Sequence, residues 1–386
     1  MSFSSLLLHL TGKTFIMKWI RLIALVTLMM SLKHPATAQE KSPWAETPEI
    51  TLSGYLGVFY SYDVNQPTTN YKQPFLYSFN RHNEFNVNLA YIGLSVDQAK
   101  YRASIKLHTG TYANDNYSAE PGLLKNIYEA YAGISLNKRN NLWLEAGVFP
   151  SHLGFESPVA MDNWTLTRSL ANENSPYFLT GAKVIYSPSD VVEIMGVVCN
   201  GWQRIQMVEN NSLLSFGTQL IITPNENYSI NWSAFAGTDE PDYKRRMMYF
   251  SNLFAVMQFT SKFGLLAGFD IGMEQTAKSS EEYNTWYVFS AIARYAFTEK
   301  WAAALRGEYF DDQSGAVTYL EKLENGLRTS GVSINVDFMP VPVVACRLEA
   351  RWLHSPDKIY PNDGSFIQDN VFFTASLEVK LDKRLF

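Results

Sequence analysis

Between Ile50 and Leu381 the chain divides into short segments that are apolar at every second residue, and the breaks between them alternate in length. The break from Asp63 to Asn83 is long and polar, whereas the next, Asp97 to Lys100, is a tight turn. The same rhythm repeats along the chain. Short turns at one rim and long loops at the other are what an up-and-down barrel in an outer membrane requires. A soluble β-sandwich also alternates, but it has no reason to confine its short turns to one end.

Side-chain parity carries the argument further, because successive residues of a strand face opposite sides. In 101–109, Tyr101, Ala103, Ile105, Leu107 and Thr109 share one face, and Arg102, Ser104, Lys106 and His108 share the other. In 263–274, Phe263, Leu265, Ala267, Phe269, Ile271 and Met273 oppose Gly264, Gly268, Asp270, Gly272 and Glu274. Strands are expected at 50–62, 83–96, 101–110, 127–137, 142–149, 179–187, 191–201, 213–222, 228–237, 247–260, 263–274, 284–297, 301–310, 327–338, 343–353 and 370–381. That is about sixteen, an even number, as a closed bacterial barrel needs. The tight turns carry Pro, Asn, Asp and Lys, for example Pro188–Asp190 and Thr298–Lys300.

Composition agrees. Only 18% of the 386 residues are charged while 14% are aromatic, against roughly 25% charged in soluble domains. Past the leader, no run reaches the ~18 apolar residues of a spanning helix. The fold class is therefore all-β, a transmembrane antiparallel barrel with short periplasmic turns and long extracellular loops. Trp301, Trp352, Tyr60, Tyr128, Tyr295 and Tyr309, near strand ends, are candidates for the interfacial girdles. Trp143 and Trp286 have lumen parity instead.

Residues 1–38 read as a signal peptide. Met17-Lys18-Trp19-Ile20-Arg21 is a basic start, Leu22 to Leu32 an apolar run, and Ala36-Thr37-Ala38 a small-residue cleavage site. Met17 is the expected true start. Residues 39–49 form a polar lead-in, and 50–386 one barrel domain. The leader holds four basic residues (Lys13, Lys18, Arg21, Lys33) and no acid, so removing it takes the net charge from −5 to −9. That argues against nucleic acid as a partner. Cys199 and Cys346, far apart, read as two separate small hydrophobes. The six His show no metal-ligand spacing, and no cofactor is expected.

The longest break is Pro150 to Phe178, the third long loop, and it is expected to fold into the lumen. By parity, Arg294, Arg306, Arg328, Arg347 and Arg351 point inward from the late strands, and Arg102 and Lys106 from the third. Glu129, Glu145 and Glu193 point inward from the fourth, fifth and seventh strands, and Glu156, Asp162 and Glu173 lie on the long loop. The expectation is a basic wall facing an acidic wall and constriction loop across a water-filled gap, a transverse field of the kind that sets ion preference. The last strand keeps its apolar register to Leu381, leaving Asp382 to Phe386 as a short tail.

The strand count and long third loop resemble the general porins. More narrowly, Gly147-Val148-Phe149-Pro150, Gly154-Phe155-Glu156, Asn163, Arg168-Ser169, Ser175-Pro176 and Gly181 resemble the OmpL-like β-barrel porin family, over essentially the whole barrel. The resemblance implies an outer-membrane channel of a Gram-negative bacterium, with passive diffusion of small hydrophilic solutes or ions. The partners expected with it are outer-membrane lipid, the barrel-assembly machinery and further copies in a homotrimer. There is no G-x-S-x-G elbow or phosphate-cradling loop, so an enzyme is not expected. Two rivals remain. One is a structural or adhesive barrel working through loops 63–82, 311–326 and 354–369. The other is a rim hydrolase using His82, His108, His152 or His354 with Asp311, Asp312 or Asp357.

Overall fold

The computed structural model describes residues 44, 46–318 and 326–385. The expected signal peptide, most of the lead-in and the terminal Phe386 lie outside the described residues. The strands are β1 (Glu49–Asp63), β2 (Glu84–Asp97), β3 (Tyr101–Thr109), β4 (Ile127–Ser135), β5 (Leu142–Pro150), β6 (Phe178–Tyr186), β7 (Val192–Cys199), β8 (Ser215–Asn225), β9 (Tyr228–Gly237), β10 (Met248–Gln258), β11 (Phe263–Gln275), β12 (Tyr283–Ala296), β13 (Trp301–Asp312), β14 (Leu327–Val341), β15 (Val344–His354), the hairpin β16 (Tyr360–Asn362) and β17 (Ser365–Ile367), and β18 (Asp369–Arg384). Sixteen of them close into an antiparallel barrel, each pairing with its sequence neighbour and β18 meeting β1; β16 and β17 pair only with each other, in the last long loop. All sixteen expected strands are present.

The seam corrects one expectation. β18 continues through Arg384, with Asp382 opposite Ser53 and Arg384 opposite Thr51, and Arg384 forms an ion pair with Glu49 at 2.9 Å. Asp382, Lys383 and Arg384 are strand, not tail. β1 begins at Glu49, and its first backbone groups would be left unpaired at an open edge if β18 ended at Leu381.

The outer face is apolar through the middle of the strands, with Ile105, Leu305 and Ile334 each more than half exposed to the surroundings. Trp301, Trp352 and Tyr295 also face outward. Tyr128 does not. The register slips where Lys106 faces Glu129 but Leu107 faces Ile127, so Tyr128 is the extra residue of a bulge and turns into the barrel. Gly147 lets β4 and β5 come close: at its φ of 135°, a Cβ would stand 2.1 Å from the Ala130 carbonyl oxygen. Cys199 and Cys346 are free thiols, the first buried and the second exposed.

The apolar core lies inside the barrel. Phe75 and Leu76 of the first long loop, Leu170 of the third and Tyr360 of the last pack with inward Trp286, Phe310 and Phe372. Long loops thus fill much of the lumen toward their own rim. The lipid face yields a direct test. Ile334→Arg, at mid-strand on β14, is expected to cost about 2–4 kcal/mol of barrel stability, read as a lower unfolding midpoint in lipid vesicles. An unchanged midpoint would mean that this face does not meet lipid.

Candidate functional site

The third long loop, 151–177, is tied to itself before it touches the wall. Ser169 caps the short helix Leu170–Glu173, its Oγ accepting from the Asn172 N–H. Asn172 Oδ1 accepts from the N–H groups of Phe155 (2.9 Å) and Glu156 (3.0 Å). Glu156 accepts from the Ser169 N–H (2.8 Å) and hydroxyl (2.6 Å). Asn163 Oδ1 takes the Ser157 N–H at 2.7 Å. From Thr165 to Ala171 the loop is fully buried, so it runs inside the barrel, as the sequence led us to expect.

What holds it there is the inner face of β13, β14 and β15. Ser333 stands level with Arg306 on one side and Arg351 on the other, and its small side chain leaves room for both guanidinium groups. Arg306 donates to Glu349 (2.8 Å), to the Thr167 carbonyl (2.6 Å) and to the Thr165 hydroxyl (2.9 Å). Arg351 pairs with Glu308 (2.6 Å) and donates to the Arg168 carbonyl (3.0 Å). Arg347 pairs with Asp337 (2.6 Å) and donates to the carbonyls of Ala160 (2.5 Å) and Asn163 (3.1 Å). The carboxylates complete the grip: Glu349 accepts the Thr167 N–H (2.6 Å) and Glu308 the Leu170 N–H (2.8 Å). Arginine suits this work because its planar fork serves a carboxylate and a carbonyl at once.

The expected gap between loop and basic wall is therefore absent. Arg306, Arg347 and Arg351 point inward, but they are 0%, 4% and 1% exposed, covered by the loop they hold. Arg328 is a plain misassignment. It shares parity with Val332, Ile334 and Val336, which face outward, so it lies on the outer face near the long-loop end of β14. Arg294 faces inward near the short-turn rim and makes no ion pair among the described residues. Arg102 and Lys183 both pair with Glu145, Lys183 at 3.0 Å. Lys106 pairs with Glu129 at 3.0 Å. Glu193 accepts from Ser187 Oγ at 3.3 Å near the short-turn rim. On the loop, Asp162 pairs with Lys380 of β18 at 2.6 Å, and Glu173 accepts the Tyr77 N–H at 2.7 Å.

Two charged groups on long loops, outside the strands, are strongly perturbed. Lys72, donating to Ser61 Oγ at 3.0 Å, is lowered to about 7 by burial, against the pull of Asp63. Glu173 is raised to about 7 by burial, against the pull of Arg168 and the Tyr77 N–H. Lys183 was missed in the sequence, although its parity with Gly181 and Ile185, against outward Ala182 and Val184, places it inside.

Two open spaces border the loop, one on each side. The first, about 380 Å³, lies toward the short-turn rim and is bordered by Tyr91, Lys106, Glu129, Glu156, Asp162, Lys380 and Asp382 among others. The second, about 460 Å³, lies toward the long-loop rim and is bordered by Asp115, Glu173, Arg204, Asp239, Glu240 and Glu274 among others. One stretch of the loop stands between them: Pro176 and Tyr177 border the first, and Glu173, Asn174 and Ser175 the second.

The candidate hydrolytic groups do not assemble. His82 Nδ1 accepts the Asp63 N–H at 3.0 Å, His108 sits among Tyr112, Tyr117 and Tyr128, and His152 meets the Ala234 carbonyl at 3.1 Å. His354 meets Asp369 at 3.0 Å on the outside of the rim. Among the described residues, no cluster of three or more metal-ligating side chains is found.

Solved structures share this architecture. The chain aligns over 87% of its length with the whole of an anion-selective porin from Comamonas acidovorans, at 9% identity and a TM-score of 0.59. It covers 97% of Salmonella typhi OmpF, in complex with daunomycin, with 86% of its own length at 8% identity and a TM-score of 0.57. It covers 100% of the trimer form of OmpT from Vibrio cholerae with 87% of its own length, at 9% identity and a TM-score of 0.55. At such identities the likeness is one of fold. A search of curated proteins finds no match. The family model described as "Putative beta-barrel porin-2, OmpL-like" matches residues 49–381, which takes in all sixteen strands of the barrel save the last three residues of β18, and the chain belongs to that family of bacterial outer-membrane porins.

Proposed function

We propose that the protein is a passive-diffusion channel for small hydrophilic solutes, narrowed by its third long loop. The observation that carries this reading is the pair of spaces on either side of that loop, both bordered by charged side chains and separated by Glu173–Tyr177 within a closed barrel. A barrel of sixteen strands is wide enough for an aqueous passage. Polar solutes can exchange water for the groups that line such a passage, and apolar ones cannot. The arginine wall enters this reading as the anchor of the loop and not as half of a charged gap.

In the same reading, residues 1–38 are the export signal, cleaved near Ala38, and the working form is a homotrimer. The trimer form of OmpT, a protein of like fold, supports the oligomer.

A structural or adhesive surface barrel is the second reading, and the loop segment standing between the two spaces favours it. The test is a planar lipid bilayer. Wild-type protein is expected to give discrete conductance steps, small for a sixteen-strand barrel because the loop occupies the lumen.

Arg306→Ala separates the two readings. It leaves Glu349 and Glu308 short of a buried partner and removes three hydrogen bonds to the loop. Loss of a buried partner costs about 3–5 kcal/mol. The loop is therefore expected to loosen, with larger steps and faster protease cleavage between 151 and 177. Bilayers that stay silent with both proteins would reject the channel and leave the structural barrel.

A further inference from the structure

The charges bordering the two spaces divide cleanly by pairing. Lys106, Lys380 and Arg204 all form ion pairs, with Glu129, Asp162 and Asp239 respectively. In the second space, Asp115 is paired with Arg81, and Glu240 and Glu274 are paired with Arg246. Neither of these arginines borders the space, so those pairs present their carboxylates to it. Glu156, Glu173 and Asp382 make no ion pair among the described residues. Every charge left over on the lining is negative.

Glu173 borders the second space on the loop segment that separates it from the first, and its neighbours sharpen the point. Glu173, Asn174 and Ser175 are 3%, 7% and 5% exposed, and all three border the second space. Each carries an oxygen without a hydrogen-bond partner among the described residues: Glu173 Oε1, Asn174 Oδ1 and Ser175 Oγ. The Asn174 amide nitrogen donates to the Leu170 carbonyl at 2.9 Å, which fixes its oxygen as the open group. Ser175 Oγ lies 3.1 Å from where a Cβ on Gly154 would stand, and Gly154 borders the first space. Buried acceptors without donors are costly to leave unmet, and a passing donor or cation relieves them.

Two cations act on Glu173 from behind. Arg168 lies 3.8 Å over the ring of Tyr177, and Arg351 is held by Glu308. Neither borders the open space.

We infer that the channel favours small cations, ammonium-bearing solutes among them, and that Glu173 with Asn174 and Ser175 is where it does so. This rests on the channel reading and assigns its substrate class. It reverses the preference that a basic wall would give.

The test is the reversal potential of the purified porin in a planar bilayer under a KCl gradient. It is run at about pH 8, where a carboxyl raised toward neutrality is ionised. The expected permeability ratio of K⁺ to Cl⁻ is above one, and Glu173→Gln is expected to lower it about two- to three-fold. A ratio at or below one overturns the inference. So does a ratio above one that Glu173→Gln leaves unmoved. If that variant does not fold, Asp382→Asn, exposed near the short-turn rim, takes its place. A lowered ratio supports the inference and an unchanged one overturns it. A silent wild-type bilayer rejects the channel reading instead.

Discussion

The structure depends on one contact, between the arginine–carboxylate lattice of β13–β15 and the backbone of the third long loop. A sixteen-strand lumen is too wide for wall side chains to fill, so whatever enters it must bring its own backbone polar groups and find partners for them. Arg306, Arg347 and Arg351 solve this together. Each neutralises a carboxylate on the same wall and gives its remaining donors to loop carbonyls, while Glu308 and Glu349 accept loop N–H groups. Buried ion pairs are weak evidence for stability when taken alone. Here they form a surface with donors and acceptors in alternation, which is what an irregular chain segment needs in order to be buried.

That lattice explains why the fold was legible in the sequence and the site only in part. Parity depends on two-residue periodicity and turn length, both local, so strand number, order and inward face could be read directly. The wall arginines could be placed inside by the same reasoning. Whether an inward side chain meets water or a loop is a non-local matter, decided by contacts more than a hundred positions apart, such as Arg306 with Thr167. No periodicity encodes that. Tyr128 is a different failure: a bulge adds one residue and flips the face, and nothing in 127–135 announces it. Arg328 and Lys183 are different again, since two-residue periodicity alone puts Arg328 with outward Val332 and Val336 and Lys183 with inward Gly181 and Ile185.

The end of β18 shows a further limit of pattern reading. Lys380 and Asp382 break the apolar rhythm, yet both have inward parity and so never compete for lipid. The outward positions continue as Val379, Leu381, Lys383 and Leu385. Only Lys383 departs from the apolar pattern, close to the rim where charge is tolerated. A strand near a water–lipid boundary is bounded by its partner's backbone, and β1 supplies that as far as Thr51.

Pairing, not charge count, decides what a solute in such a lumen would feel. The arginines that look dominant in the sequence are the most thoroughly neutralised groups in the barrel, each bound to a carboxylate at 2.6–2.8 Å. Two opposite charges in contact leave a short-range dipole, which water screens within a few ångströms. An unpaired charge keeps a longer reach, and more of it where the surroundings are poorly hydrated. A few leftover carboxylates on the lining can thus outweigh a wall of arginines. A basic wall enlisted to hold a loop gives up its own field.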